Sequence, residues 1–212
     1  VKSQIPIAIG TKVKNLLDVG TGTGLLSLMI AQKNPEAKVL AIEIDEAAKS
    51  QAGENVEASL WKKRVDVRKG DVRNYSFPEK FDFIISNPPF YEKEIRSETD
   101  SKNVAHHSEN LTVKELLSVI RNNLKRDGSF FLLLPYKRNE EIKTLFKDHE
   151  FHISKTLFIR QSVKHEYFRI FIKGDLKVKE KETEFDEMSV WDEEQQYTAR
   201  FIHLLKDYYL HL

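Results

Sequence analysis

The sequence predicts an α/β fold, a mostly parallel sheet with helices on both faces. Three observations carry that prediction. Short runs rich in Val, Ile, Leu and Phe alternate along the chain with segments of helical spacing. The apolar runs are nearly continuous, as expected of strands buried on both faces. Gly or Asp turn signals directly follow several of them. Strands alternating with helices imply right-handed βαβ units. In such sheets ligands sit at the carboxyl ends of the strands, near the point where strand order reverses.

Asn15–Val19 is a short apolar run that continues into Gly20, a strand entering a glycine turn. Leu25–Lys33 is apolar at helical spacing. Residues 38–44 (Lys-Val-Leu-Ala-Ile-Glu-Ile) read as a buried strand, and residues 46–60 are helical in composition. Val65–Lys69 is a third strand, closed by Gly70 and Asp71, and Phe81–Ser86 is a fourth. Residues 112–124 form an amphipathic helix with Asp127 and Gly128 as a stop signal. Residues 129–134 make a fifth strand and residues 140–147 a short helix. Residues 152–160 and 166–173 are β-rich runs joined by 161–165, which predicts a closing hairpin.

The chain has 212 residues, a length that suits one domain or one domain with a small appendage. Its 40% hydrophobic and 32% charged content fits a soluble globular protein. The absence of Cys excludes a disulfide scaffold, a thiolate zinc site and a cysteine nucleophile. It also fits a reducing compartment, so a cytoplasmic location is expected. The longest apolar run, residues 130–135, is far short of the roughly 20 residues a membrane span needs. No signal peptide opens the chain, which starts at Val1 rather than Met; its natural start is expected upstream. The net charge of +1 does not mark a nucleic-acid binder. Its distribution is less even: residues 136–181 hold twelve Lys/Arg against seven Asp/Glu, and residues 182–194 hold seven acids and no base. These stretches are either a polarised surface or two solvated faces, with solvated faces favoured.

Four places carry chemistry, each just after a strand. The first is Asp18-Val19-Gly20-Thr21-Gly22-Thr23-Gly24, between strand and helix. Glycines there allow a tight turn and close approach of a ligand to the backbone. The spacing Gly-x-Gly-x-Gly departs from the dinucleotide fingerprint Gly-x-Gly-x-x-Gly. An acid facing the loop repels pyrophosphate and suits a cofactor with a cationic amino-acid end, such as S-adenosylmethionine. The second is Glu43, 25 residues after Asp18, placed to accept hydrogen bonds from both ribose hydroxyls of an adenosine. Asp45 reads as the cap of the following helix. The third is Gly70-Asp71-Val72, where a carboxylate can accept an adenine amino proton and the next N–H can meet a ring nitrogen; a plain turn is the other reading. The fourth is Asn87-Pro88-Pro89-Phe90. Two prolines leave carbonyls free to accept, and the Asn oxygen adds another acceptor. The aromatic ring offers a stacking face, so the set suits a planar amino group.

Asp18 through Gly24 followed by Ser86-Asn87-Pro88-Pro89-Phe90 resembles the class I S-adenosylmethionine-dependent methyltransferases that act on amino groups. More closely, the chain resembles the bacterial tRNA1(Val) (adenine37-N6)-methyltransferases, which modify the adenine just 3′ of the anticodon. The likeness runs from Asn15 to the C-terminus. It includes Leu25-Leu-Ser-Leu-Met-Ile-Ala-Gln32 and the closing segment from Glu194-Gln-Gln-Tyr-Thr198 through Tyr208-Tyr-Leu210. It implies a Rossmann-like class I methyltransferase fold over residues 1–212, seven-stranded with one antiparallel strand. It implies that Asp18, Gly20, Thr21, Gly22, Gly24, Glu43, Ile44, Asp71, Val72 and Asn87 hold S-adenosylmethionine. Asn87, Pro88, Pro89 and Phe90 then form the catalytic grip on the target base. A tRNA anticodon stem-loop is the implied partner, with no metal, no membrane and a monomer or weak dimer. In that family a segment like Ile9-Gly10-Thr11 continues into Asp-Gly and an apolar stretch; here Lys12 follows at once. Residues 1–11 are thus expected to be the remnant of a segment covering the cofactor.

Several readings stay open. Residues 91–111 are long and polar, either a substrate lid, with Lys93, Arg96 and Lys102 on phosphates, or a solvated loop. His106 and His107 lack the partners of a metal or catalytic site. Arg160, Lys164, Arg169 and Lys173 either contact RNA phosphates or guard an edge. Trp61, Trp191, Tyr197, Phe201, Tyr208 and Tyr209 read as packing residues. The alternatives to adenine methylation are another amino group, such as guanine N2 in rRNA or a protein glutamine amide, and a non-catalytic nucleotide- or RNA-binding module.

Overall fold

A computed structural model describes residues 14–88, 111–176 and 182–208. Five strands form in chain order as β1 (Asn15–Val19), β2 (Lys38–Glu43), β3 (Val65–Lys69), β4 (Phe81–Ser86) and β5 (Leu124–Pro135). They are followed by β6 (His152–Ser162), β7 (Tyr167–Asp175) and β8 (Glu184–Trp191). The eight-stranded sheet has the order β3-β2-β1-β4-β5-β7-β6-β8. Among the described strands only β7 runs against its neighbours; β6 and β8 pair in parallel. The strand order reverses between β1 and β4, which places a crevice at their carboxyl ends.

The described helices are α1 (Leu25–Lys33), α2 (Glu46–Glu57), α3 (Val113–Asn123), α4 (Asn139–Asp148) and α5 (Ala199–Leu205). Successive strand residues face opposite sides, so each strand feeds two cores. Leu16, Val39, Val65, Phe83 and Phe131 pack with Ile30, Ala31 and Val56 of α1 and α2. Leu17, Ile42, Ile84, Phe130 and Leu132 pack with Leu116, Leu117 and Ile120 of α3 and Ile142 and Phe146 of α4. Local signals fix the helix ends. Asp45 caps α2 by accepting from Ala48 N–H at 2.7 Å, the role expected of it. Thr112 and Glu115 form a reciprocal capping box at α3.

The sheet has one strand more than expected. The acidic stretch is not merely a solvated face: Glu184–Trp191 is the edge strand β8. The basic and acidic stretches also lie side by side, with Arg160 on Glu187 at 3.1 Å and Lys155 on Glu184 at 3.6 Å. Those two pairs join the stretches along β6 and β8. Strand β5 starts at Leu124, so Asp127 and Gly128 fall inside it, at a register irregularity against β4. Helix α2 stops at Glu57, and Leu60, inside the range expected to be helical, is 93% exposed. The closing segment docks as expected of packing residues. Rings of Trp191, Tyr197 and Phe201 stack in series, and Lys33 at the end of α1 pairs with Asp207. Tyr209 lies outside the described residues, as do residues 1–13 and 89–110.

Candidate functional site

The carboxyl ends of β1, β2 and β4 meet at one level. Val19 pairs with Ile42 on one side and Ser86 on the other, and Ser86 Oγ donates to Val19 O at 2.7 Å. Gly20 N–H donates to Ile42 O at 2.9 Å, tying the glycine loop to β2. Gly20, Gly22 and Gly24 have φ of +69°, +57° and +81°, values that a side chain makes costly. A Cβ at Gly20 or Gly22 would project into open space, so the backbone there is accessible to a ligand. At Gly24 a Cβ would lie 3.2 Å from Ala52 Cβ, so that glycine serves the close approach of α1 to α2.

Asp18 is 1% exposed. Its Oδ2 accepts from Thr21 Oγ1 at 2.7 Å and Ser27 Oγ at 2.6 Å. Burial pushes its carboxyl above the usual range, against the two hydroxyl donors and with help from the charge of Glu43. Ser27 escaped the sequence reading. A serine on an apolar helix carries no signature of its own, although its place one helical turn past the glycines is a usable signal.

Glu43 is 8% exposed and closes the loop from the other side. Its Oε2 accepts from Gly22 N–H at 2.8 Å, and Oε1 from Ile44 N–H at 2.9 Å and Asp45 N–H at 3.0 Å. Three backbone donors fix its orientation, and a carboxylate has about four acceptor positions, so one remains. Ile44 beside it is 43% exposed, an apolar side chain open to solvent.

Gly70 N–H donates to Glu43 O at 2.9 Å, so the turn after β3 begins beside Glu43. Asp71 there is held by Arg73, whose Nε lies 2.9 Å from both of its oxygens and whose Nη2 lies 2.6 Å from Oδ2. That guanidinium holds the Asp71 carboxyl below the usual range. Arg73 also reaches Glu115 Oε1 at 3.4 Å, linking this turn to the start of α3. Arg73, too, was missed, because nothing local marks it as the partner of Asp71. Val72 is buried in the α3-side core.

A cleft of about 450 Å³ opens between the glycine loop and β4, lined by Asp18, Gly20, Thr21, Gly22, Ser86 and Asn87, with Leu25, Met29, Phe83, Phe131 and Phe171 as its apolar wall. Asn87 is exposed at its edge and Pro88 is buried. The structure therefore brings Asp18, the glycine loop and Asn87 to one cleft; Glu43 is tied to that loop through Gly22 N–H, but neither it nor Ile44 is among the lining residues. Asp71 stands one strand further out and is not among the residues lining it. Pro89, Phe90, His106, His107, Lys93, Arg96, Lys102, the expected cofactor-covering remnant and all of the expected lid but Leu111 lie outside the described residues. Among the described residues no group of three or more His, Cys, Asp or Glu could hold a metal ion. No helix among them is long and apolar enough to cross a membrane.

A family model described as the methyltransferase small domain matches residues 7–158. A tRNA1(Val) (adenine(37)-N6)-methyltransferase from Bacteroides thetaiotaomicron is 34% identical over 204 residues, spanning 93% of this chain and 83% of the relative. Another, from Dyadobacter fermentans, is 46% identical over 120 residues, 57% of this chain and 50% of the relative. Among solved structures, a protein titled a predicted O-methyltransferase from Agrobacterium tumefaciens matches with a TM-score of 0.71 at 14% identity, over 94% of this chain and 91% of that one. At that identity the likeness is one of fold.

Proposed function

Because this chain belongs to the methyltransferase small-domain family and to the tRNA1(Val) (adenine(37)-N6)-methyltransferase family, we propose that it methylates N6 of an adenine in tRNA, using S-adenosylmethionine. The observation that carries this reading is the placement of Asn87 at the carboxyl end of β4, on the cleft that Asp18 and the glycine loop also line. An adenine just 3′ of the anticodon is the favoured target, following the names of the relatives.

The residues present suit that cofactor. The accessible backbone at Gly20 and Gly22 admits a close ligand, and carboxylates ring the loop where a dinucleotide site would need to accept pyrophosphate. S-adenosylmethionine supplies an electrophilic methyl group. Glu43 accepts from ribose hydroxyls, and Ile44 presents its exposed apolar face to the adenine. Asp71, kept ionised by Arg73, accepts from the adenine amino group, and Val72 N–H meets a ring nitrogen. Asp18 holds the glycine loop in shape through Thr21 and Ser27 and offers negative charge to the amino-acid end.

Asn87 Oδ1 and the Pro88 carbonyl accept the two amino protons of the target base, turning the nitrogen lone pair toward the methyl group. Pro89 and Phe90 complete that grip in this reading. The nitrogen attacks first and loses its proton afterwards, so no strong base has to act before transfer. Proximity and alignment supply most of the rate. The base must leave its stack to enter the cleft, which favours an unpaired loop nucleotide.

Asn87→Ala tests the assignment. Turnover should fall roughly 10²- to 10³-fold, the scale of losing one positioned polar group, while S-adenosylhomocysteine affinity stays close to wild type. A near-normal rate would remove Asn87 from the mechanism. RNase-treated and protease-treated extracts, compared as methyl acceptors, separate an RNA substrate from a protein amide.

A further inference from the structure

Strands β1 and β4 lie side by side, and each leads into one half of the site. Val19, the last residue of β1, is followed by the glycine loop, and Ser86, the last residue of β4, is followed by Asn87. Val19 and Ser86 are register partners and the last pair of their ladder. Beyond them the two chains part. Gly20 turns at φ +69° and donates to Ile42 of β2. On the other chain Pro88 and Pro89 have no N–H with which to reach back to β1. At this point the Ser86 hydroxyl crosses the gap, donating to the Val19 carbonyl at 2.7 Å. Both residues are buried, so bulk water does not compete for that bond. The other buried residues of β4, Phe81, Phe83, Ile84 and Ile85, are apolar. The one buried hydroxyl of the strand therefore stands at its functional end, where a buried polar group is costly unless bonded. Ser86 also lines the cleft together with Asp18, Gly20 and Asn87.

We propose that Ser86 is a positioning residue for methyl transfer: its bond to the Val19 carbonyl fixes the end of β4 against the end of β1, and so sets the spacing between Asn87 and the glycine loop. The proposal rests on the tRNA methylation reading and adds which residue sets the distance between the two reactants. In that reading the methyl donor lies on the loop that follows Val19, and the target nitrogen is held by the residue that follows Ser86. Neighbouring strands are about 4.8 Å apart, while reacting atoms must come within about 3–3.5 Å. A misplacement of 1 Å can cost about 10²-fold in rate, so slack between the two strand ends would show in turnover. The hydroxyl hydrogen is committed to the Val19 carbonyl, so the role is placement and not proton transfer. Cofactor binding depends on this bond far less. The glycine loop is held separately, by Ile42 O on Gly20 and Thr21 N–H, by Asp18 on Thr21 Oγ1 and by Glu43 on Gly22 N–H.

The test measures kcat, KM for tRNA and S-adenosylhomocysteine affinity in wild type, Ser86→Ala, Ser86→Thr, Asn87→Ala and the double variant Ser86→Ala/Asn87→Ala. Ser86→Ala should lower kcat at least about tenfold, with KM and S-adenosylhomocysteine affinity within about twofold of wild type. Ser86→Thr keeps the hydroxyl and should recover most of that kcat. In the Asn87→Ala background the Ser86→Ala change should cost less than about twofold, because a residue acting through Asn87 has nothing left to place. A kcat for Ser86→Ala within about twofold of wild type would overturn the proposal. So would a Ser86→Thr protein as slow as Ser86→Ala, since the hydroxyl would then not be what matters. A parallel loss of S-adenosylhomocysteine affinity, or losses that multiply in full in the double variant, would overturn it in favour of a general structural role. If wild type places no methyl group on tRNA, the function reading itself fails, and the positioning role with it.

Discussion

At Asp18, burial opposes ionisation while two hydroxyls support it, and burial wins: the pKa stands above its ordinary 3.8. The linkage sign follows. Stability from this group is present in full below 3.8 and is lost as pH rises through the folded value. Asp18→Asn removes that loss, and because Thr21 and Ser27 both donate to one oxygen, the amide can keep both bonds. The unfolding free energy of Asp18→Asn relative to wild type should therefore shift in the variant's favour as pH rises above 3.8, in denaturant titrations across pH. A pH-independent difference would contradict this. S-adenosylhomocysteine affinity of the same variant should fall roughly 10- to 100-fold, the scale of a charge-assisted hydrogen bond of about 1.5–3 kcal/mol. The placement of Asp18, Glu43 and Asn87 was legible in the sequence because each lies at the carboxyl end of an apolar strand or just beyond it. Ser27 and Arg73 were not, because their roles depend on partners that only the fold brings near.

Among the elements, β7 depends on a glycine that no sequence pattern flagged. A Cβ on Gly174 would lie 2.2 Å from the tip of the Phe130 ring. That ring is fully buried against Phe146 and Phe151 and has nowhere to go. Gly174→Ala should cost about 1–3 kcal/mol of unfolding free energy by overpacking, and Phe130→Leu in the same chain should recover part of it by making room. Additive costs in the double variant would contradict the proposed clash. Helix α1 ends under a comparable constraint: Arg64 donates to the carbonyls of Ala31, Asn34 and Ala37 at 2.7, 3.0 and 3.2 Å. Both features join distant parts of the chain, so neither has a local signal. The inner strands were legible because burial on both faces makes them continuously apolar. Strand β8 was not, because an edge strand is half solvated and carries charges that discourage further pairing. Its acids therefore read as a solvated stretch.

Across the whole molecule, carboxylates on cationic partners tie separate elements together. Arg200 pairs with Asp186 and ties α5 to β8, and the Asp186 carboxyl is pulled below 3.8 by that guanidinium. Burial would raise the Asp82 carboxyl, but Lys125 and the N–H groups of Lys14 and Asn15 donate to it and hold it below the usual range. Stability from these groups is present above the ordinary carboxylate value and is lost as pH falls through their lower folded values. In a Trp61→Phe protein, Trp191 emission should therefore change as pH falls below 3.8, reporting release of its stack with Tyr197, and Asp186→Asn should remove that step. An acid transition unaffected by Asp186→Asn would contradict the link. The parallel order of the inner sheet was legible from alternation alone. The pairing of Lys155 and Arg160 with Glu184 and Glu187 was not, since it depends on β8 lying beside β6. The central claim, methyl transfer to an adenine amino group in tRNA, is tested most directly by following label. Total tRNA from a strain lacking the enzyme is incubated with the protein and S-adenosylmethionine labelled in its methyl group, then digested to nucleosides. The account predicts label in N6-methyladenosine. Label that appears only in ribosomal RNA or protein, or in no acceptor at all, would contradict it.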